Sequence, residues 1–297
     1  MVRDVVPVPT PVSTESLTPT EELALSTRRQ TLEAAALAGF FLGVTVLTVW
    51  GFAIPDWLPP AASRHAEGMD TLIRYLLVTT GVIFVIGHAV LIRFIWRYGR
   101  GASTQAPTTN PRAERLWSIL PVVTMALVSE VGVLLLGLPV WDEIYGELPE
   151  DAVVVDVAAR QFEWIVRYAG SDGAFGRTDP EQIDGAANLT GIDAADPTGA
   201  DDIVVRNVLR LPIGRMAYLR LRSHDVLHSF SVAAFRVKQD IVPGIVGSTR
   251  FVPTQVGTFE IGCAELCGLA HYRMRGSVIV MPQAEYDTWI SEEGGGA

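Results

Sequence analysis

Cys263-Ala264-Glu265-Leu266-Cys267-Gly268-Leu269-Ala270-His271-Tyr272-Arg273-Met274 contains both cysteines of the 297-residue chain and reads C-x3-C-x3-H-x2-M. His228 lies upstream, in Ser223-His224-Asp225-Val226-Leu227-His228-Ser229-Phe230. Two thiolates, two imidazoles and a thioether are soft-to-borderline ligands, suited to copper rather than to calcium or magnesium. A disulfide between the cysteines is the other reading, open to a protein in an oxidising compartment. It gives no reason for His271 and Met274 to stand at ligand spacing. The Met disfavours zinc, and a mononuclear blue-copper site takes one Cys, so two cysteines point to two metals sharing bridging sulfurs. With four ligands on one tight loop and a fifth on a neighbouring strand, a rigid β framework can fix the geometry before metal arrives.

The flanking sequence supplies such a framework. Val153–Val155, Phe162–Tyr168, Ile203–Leu211, Met216–Arg222, Phe230–Val237, Arg250–Pro253, Thr258–Gly262 and Ser277–Met281 are short, β-branched or aromatic runs with turn residues between them. That spacing predicts an all-β sandwich or barrel over residues 151–297. Residues 282–291 predict a closing helix of a turn or two that starts at Pro282. Residues 170–202 interrupt the strands with eight acids and one Arg, and predict a solvated acidic loop. Its carboxylates do not follow an EF-hand pattern. Asn188-Leu189-Thr190 within it is a glycosylation sequon of a kind that chance often produces.

Upstream of this domain the composition is that of a membrane. Ala34–Ile54 runs 21 residues without a charge, Tyr75–Ile92 runs 18, and Leu116–Trp141 runs 26 broken only by Glu130. Each can cross about 30 Å of hydrocarbon at about 1.5 Å per residue. Arg93, Arg97, Arg100, Arg112 and Arg115 lie between the second and third spans against one acid, Glu114, which makes that segment cytoplasmic and everything after Asp142 exterior. Arg28-Arg29 before the first span and Ala61-Ala62-Ser63 beyond it leave residues 32–54 open to two readings, an extra transmembrane helix or a cleaved signal segment. Residues 72–141 form a transmembrane helical hairpin, and residues 1–31 are expected to be a disordered cytoplasmic tail. Glu130 falls near mid-membrane, where a carboxylate is costly and is expected to face a protein partner.

The net charge of −10 sits wholly downstream: residues 1–141 hold ten acids and ten arginines, and residues 142–297 hold 23 acids against 13 basic residues. Apolar residues make up 49% and charged residues 19%, which argues against a disordered or nucleic-acid-binding chain. The single Lys238 and the acidic excess suit a halophilic prokaryote, although a GC-rich genome also trades Lys for Arg.

From about residue 72 to 291 the chain resembles subunit II of the haem-copper cytochrome c oxidases, through Asp225-Val-Leu-His228-Ser-Phe230, Lys238-Gln-Asp240-Ile-Val-Pro243-Gly244 and the Cys263–Met274 loop. The resemblance implies an exterior cupredoxin-like Greek-key β-barrel holding a dinuclear CuA centre of two copper ions. Cys263 and Cys267 would bridge both coppers, His228 and His271 would each bind one, Met274 would be a weak ligand of one, and the Glu265 carbonyl would bind the other. The Glu265 carboxylate would face subunit I and help to hold a magnesium ion. Phe162, in Arg160-Gln-Phe162-Glu-Trp164, stands where the family commonly places a Trp through which electrons enter, so Phe162 and Trp164 are both candidates, with barrel core as the plain alternative. Phe230 and Ile245 also depart from the common Trp and Arg. Glu114-Arg-Leu-Trp117-Ser-Ile-Leu-Pro121 resembles the family's Glu-x-x-Trp-x-x-x-Pro and would put Glu114 at the cytoplasmic mouth of a proton path; an ordinary interfacial carboxylate is equally consistent. His88 is expected to hydrogen-bond between helices.

The function implied is that of the electron-accepting subunit of a proton-pumping terminal oxidase in the plasma membrane. It would take electrons from an exterior cytochrome c or small blue-copper protein and pass them to haem in subunit I, where oxygen becomes water. The oxygen chemistry and its active site lie outside this chain, whose partners would be subunit I, other oxidase subunits and the bilayer. Two rivals remain: a copper-free subunit II scaffold of a quinol oxidase, opposed by the intact ligand set, and a membrane-tethered copper-binding or copper-delivery protein acting alone.

Overall fold

The computed structural model describes residues 18–53, 57–99 and 110–294. They form two compact units, one of residues 18–53, 78–99 and 110–118 and one of residues 57–77 and 119–294. Three helical runs of 35 residues each are long and apolar enough to cross a membrane: α1, Pro19–Ala53; α2, Arg64–Tyr98; and Pro111–Tyr145, made of α3 (Pro111–Met125), a π-helical stretch (Ala126–Val131) and α4 (Gly132–Tyr145). At about 1.5 Å per residue each spans roughly 50 Å and so extends beyond the hydrocarbon. Their flanks expose Phe40, Leu47, Leu77, Ile86, Val122 and Leu135, as lipid-facing helices do.

The start of α1 corrects the expectation of a disordered tail over residues 1–31. Helix begins at Pro19, because Thr18 and Glu21 form a capping box: Thr18 N and Oγ1 donate to the Glu21 carboxylate at 2.8 Å, and Glu21 N donates back to Thr18 Oγ1. An Arg29–Glu33 pair supports the next turns. Residues 1–17 of that expected tail lie outside the described residues. His88 also differs from expectation, since its Nδ1 lies 3.0 Å from the Phe84 carbonyl of its own helix and its ring stacks on Phe84 at 4.1 Å.

The π-helical stretch carries Glu130, which is exposed. A π turn frees a carbonyl from the α ladder, and here Tyr75 Oη donates to the Val128 carbonyl at 2.6 Å. Gly132 makes room for that ring, because a Cβ there would overlap the Tyr75 hydroxyl.

The β domain is a sandwich of two five-stranded sheets. Its strands are β1 (Val153–Arg160), β2 (Glu163–Tyr168), β3 (Ile203–Arg206), β4 (Val208–Pro212), β5 (Ala217–Ser223), β6 (His228–Val232), β7 (Val237–Ile241), β8 (Gly247–Phe251), β9 (Gly257–Cys263) and β10 (Arg275–Met281). The sheet orders are β3-β2-β1-β5-β8 and β4-β10-β9-β6-β7, with β1/β5 and β4/β10 parallel and the other pairs antiparallel. Alternate residues of the inner faces fill the core, among them Trp164, Leu209, Leu219, Phe230 and Ile261, joined by Phe235 from the turn between β6 and β7.

Two expected strands divide. Ile203–Leu211 breaks at Asn207, whose φ is +59° and whose side chain accepts from Trp164 N at 2.9 Å, so β3 and β4 join different sheets. Phe230–Val237 breaks at a 3-10 turn, Ala233–Phe235, followed by left-handed Arg236. The Arg236 guanidinium is held by Asp70 and the Pro59 carbonyl. The closing helix α5, Gln283–Gly294, is 12 residues long, more than the expected turn or two, and is anchored by Trp289, which packs on Tyr168 and on Tyr286.

Residues 61–66 are woven into this unit. Ala62 N donates to the Ala234 carbonyl, Thr254 N donates to the Ala62 carbonyl, Arg64 N donates to the Val252 carbonyl, and Ser63 Oγ donates to the Phe235 carbonyl. Ala62, Ser63, His65 and Ala66 are buried. In the 170–202 loop the acids serve the backbone: Asp172, Asp179, Asp184, Asp193, Asp196, Asp201 and Asp202 each accept at least one main-chain N–H. Asn188 clamps both backbone groups of Ile192, so the sequon amide is already engaged.

Candidate metal centre

His228 opens β6 and is fully buried, while Cys263 closes β9 beside it, paired across the ladder with Phe230. The chain then loops outward through Glu265 and Cys267, turns at His271–Arg273, and returns at Met274 to start β10. Backbone bonds close the loop at its base: Cys263 N donates to the Met274 carbonyl at 3.3 Å, and Ala264 N donates to the Ser229 carbonyl at 3.0 Å. Adjacent antiparallel strands therefore hold the two ends of the loop in register, and the side chains between them converge.

The two sulfurs lie 3.9 Å apart and both thiols are free. That is far beyond the roughly 2.05 Å of a disulfide. Two sulfurs at about 2.3 Å from a common ion can be separated by at most about 4.6 Å, so the spacing fits a shared metal. Each sulfur has a histidine: Cys263 Sγ is 3.8 Å from His228 Nδ1, and Cys267 Sγ is 3.5 Å from His271 Nδ1. The Glu265 carbonyl lies 3.2 Å from Cys263 Sγ, and Met274 Sδ lies 3.7 Å from Cys267 Sγ. The donor atoms of His228, Cys263 and Cys267 lie within 4.8 Å of one another. The five residues singled out from the spacing, and Glu265, which the resemblance added, thus gather in one cluster, and its thiolate, imidazole and thioether donors fit copper.

The electrostatics separate the two thiols. Burial of Cys263 opposes its ionisation, but hydrogen bonding to His228, with the backbone at Glu265 and Ser229, outweighs it and brings the thiol down to about 6. Burial and the neighbouring Cys263 charge push Cys267 up to about 11.

Several residues outside the expected ligand set shape the cluster. Asp225 Oδ1 is 2.8 Å from His228 Nε2, which directs Nδ1 towards the sulfurs, and Asp225 Oδ2 accepts from Gln161 N at 2.7 Å. The Gln161 side chain donates to the Cys267 carbonyl at 2.7 Å. Gly268 adopts φ +130°, and a Cβ there would meet Gln161 Nε2 at 2.8 Å and the Phe162 ring at 3.3 Å. The aspartate three residues before His228 and the glycine after Cys267 were visible in sequence; the contact with Gln161 spans 106 residues and was not.

Phe162 lies partly exposed against the metal loop, whereas Trp164 is fully buried and meets Phe230 edge-on at 5.7 Å. Glu114 is exposed in the first turn of α3. Neither Glu114 nor Glu130 belongs to the candidate metal cluster found among the described residues.

The family description "Cytochrome C oxidase subunit II, periplasmic domain" matches residues 154–281, and the corresponding transmembrane-domain description matches residues 48–132. The alternative cytochrome c oxidase subunit 2 of Bradyrhizobium diazoefficiens is 37% identical over 240 residues, covering 80% of this chain and 84% of that protein. This chain belongs to the cytochrome c oxidase subunit II family. The probable cytochrome c oxidase subunit 2 of Streptomyces avermitilis is 34% identical over 289 residues, 89% of this chain and 88% of its own length. The cytochrome c oxidase subunit 2 of Thermostichus vulcanus is 29% identical over 299 residues, 83% of this chain and 81% of its own. Three membrane-length helices followed by a β-sandwich fit that family, and its periplasmic-domain description places the sandwich outside the cytoplasm.

Proposed function

We propose that this subunit II accepts electrons from an exterior donor, at a dinuclear copper centre, and passes them to haem in subunit I of a terminal oxidase. The observation that carries the reading is the arrangement of two unlinked thiols, each beside its own histidine, in one buried cluster. Cys263 and Cys267 would bridge two coppers, His228 and His271 would each bind one, Met274 would be a weak ligand of one, and the Glu265 carbonyl would bind the other. Such a centre, when bound, supplies one-electron relay with small reorganisation, because one electron is shared over two ions. The protein contributes rigidity: β6, β9 and β10 fix the ligands, and Asp225 orients His228 by the hydrogen bond on its far nitrogen.

Phe162 is the better placed of the two aromatic candidates for electron input, since it reaches the surface beside the metal loop while Trp164 is core. The half-buried Glu265 carboxylate would share a magnesium ion with subunit I. Glu114 would stand at the mouth of a proton path, and Glu130, exposed in an apolar span, would meet a polar group of subunit I. A cytochrome c or a small blue-copper protein would be the donor, and the plasma membrane the site. Residues 32–54 would be retained as a third span, since the segment that follows is part of the folded domain.

Electron paramagnetic resonance with copper counting on the intact subunit tests the reading. Two coppers per chain, with hyperfine structure from one electron shared over both nuclei, are expected. One localised copper would favour copper handling, and no copper with the thiols intact would favour a scaffold.

A further inference from the structure

The loop over residues 170–202 covers the outer face of the sheet containing β1, β2 and β5, and a cavity of about 40 Å³ lies beneath it. Asp156, Arg167, Thr178, Thr190, Arg222 and His224 provide its polar lining. Three of these residues carry a buried polar atom without a hydrogen-bonding partner: Thr190 Oγ1, Arg222 Nε and His224 Nδ1. An unpartnered buried polar group costs roughly 1–3 kcal/mol, and all three atoms are able to donate, so one acceptor in the cavity would satisfy them together.

The charges lining the cavity are not equally committed. Asp156 is taken by Arg220, with Arg167 at 4.0 Å, and Arg167 is itself paired with Asp202. Arg222 enters none of the ion pairs among the described residues, although residues 142–297 hold ten more acids than bases. Burial holds His224 below the ordinary imidazole range, and in the tautomer with its proton on Nδ1 the neutral ring donates into the cavity. A water, whose share of liquid volume is about 30 Å³, would satisfy the geometry but leave the guanidinium without a counter-ion. Thr190 is presented rigidly: Asn188 clamps Ile192, and Gly191 takes φ +68° in a turn where a Cβ would meet the Asp179 carbonyl at 2.3 Å.

We propose that this cavity binds one monatomic anion of chloride size, held by Arg222, Thr190 and His224, and that the anion ties the acidic loop to β5. The tie falls just upstream of Asp225, the partner of His228, but its existence does not depend on the copper reading.

Crystals of the intact detergent-solubilised chain grown in sodium bromide should show an anomalous peak among Arg222 Nε, Thr190 Oγ1 and His224 Nδ1. The Tm should be higher in sodium bromide than in sodium methanesulfonate at equal ionic strength, because the larger anion does not fit. Arg222→Gln and Thr190→Val should each remove that difference. Density in the cavity without anomalous signal, bromide found only at other surface sites, or a wild-type Tm indifferent to the anion would overturn the proposal, whatever the stability of the variants.

Discussion

The ligand residues differ in what each removes when replaced. Serine at either cysteine position keeps the size but loses the soft bridging sulfur. Cys263→Ser and Cys267→Ser are therefore expected to abolish the shared-electron signal, and a native dinuclear spectrum in either variant would refute the bridging assignment. Met274→Leu keeps volume and burial while deleting only the thioether, so copper should remain bound with a shifted potential, read by redox titration. Asp225 acts through His228: Asp225→Ala should lower copper affinity about 10–100-fold in a chelator competition, and Asp225→Asn, which keeps an acceptor oxygen, should lower it less. The cluster of Cys263, Cys267, His271 and Met274 was legible because the four fall within twelve residues at fixed spacing and Cys, His and Met are rare in the chain, whereas Glu265 entered only through the family resemblance. Gln161 was not legible, because nothing in its local sequence foretells a bond to the Cys267 carbonyl.

At the scale of elements, the acidic loop is ordered by its own carboxylates. Accepted main-chain N–H groups hold Asp184 and Asp196 below the ordinary carboxylate range, and hydrogen bonds from Ser171 and Asp172 outweigh burial to do the same for Asp201. A carboxylate with a depressed folded pKa contributes its stability above the unfolded value, near 3.9, and loses it as pH falls through the folded value. Protection of the amides bonded to Asp184, Asp196 and Asp201, taken relative to the unstructured exchange rate at each pH, should accordingly persist from neutral pH down to about 4 and fall only below it; a loss already between pH 7 and 5 would show that other contacts hold these turns. The strand boundaries were less legible than the strands. Ile203–Leu211 is an unbroken β-prone run in sequence, and the break at Asn207 depends on its bonds to the Trp164 backbone. The start of α1 was available in Thr18-Pro-Thr-Glu21, a capping signature that the Pro, Thr and Ser content around it obscured.

For the whole molecule, the decisive asymmetry is that of charge along the chain. Residues 1–141 are balanced, and the whole net charge of −10 belongs to residues 142–297, the exterior part by the arginine distribution. The same pattern that orients the spans therefore leaves the electron-accepting domain negative. Asp184 and Asp196 accept main-chain N–H groups of their own loop, and those bonds favour the charged form. Their field persists while their side chains are fixed. A donor with a basic face would be attracted over about a Debye length, near 10 Å at 0.1 M salt and about 3 Å at 1 M. Stopped-flow reduction of the intact oxidase by a basic cytochrome c should thus slow steeply as salt rises across that range, with the internal transfer step unchanged. A rate flat in salt would mean that the acidic half does not steer this donor, and that docking rests instead on apolar surface such as Leu269 and Tyr272, which stand exposed on the metal loop.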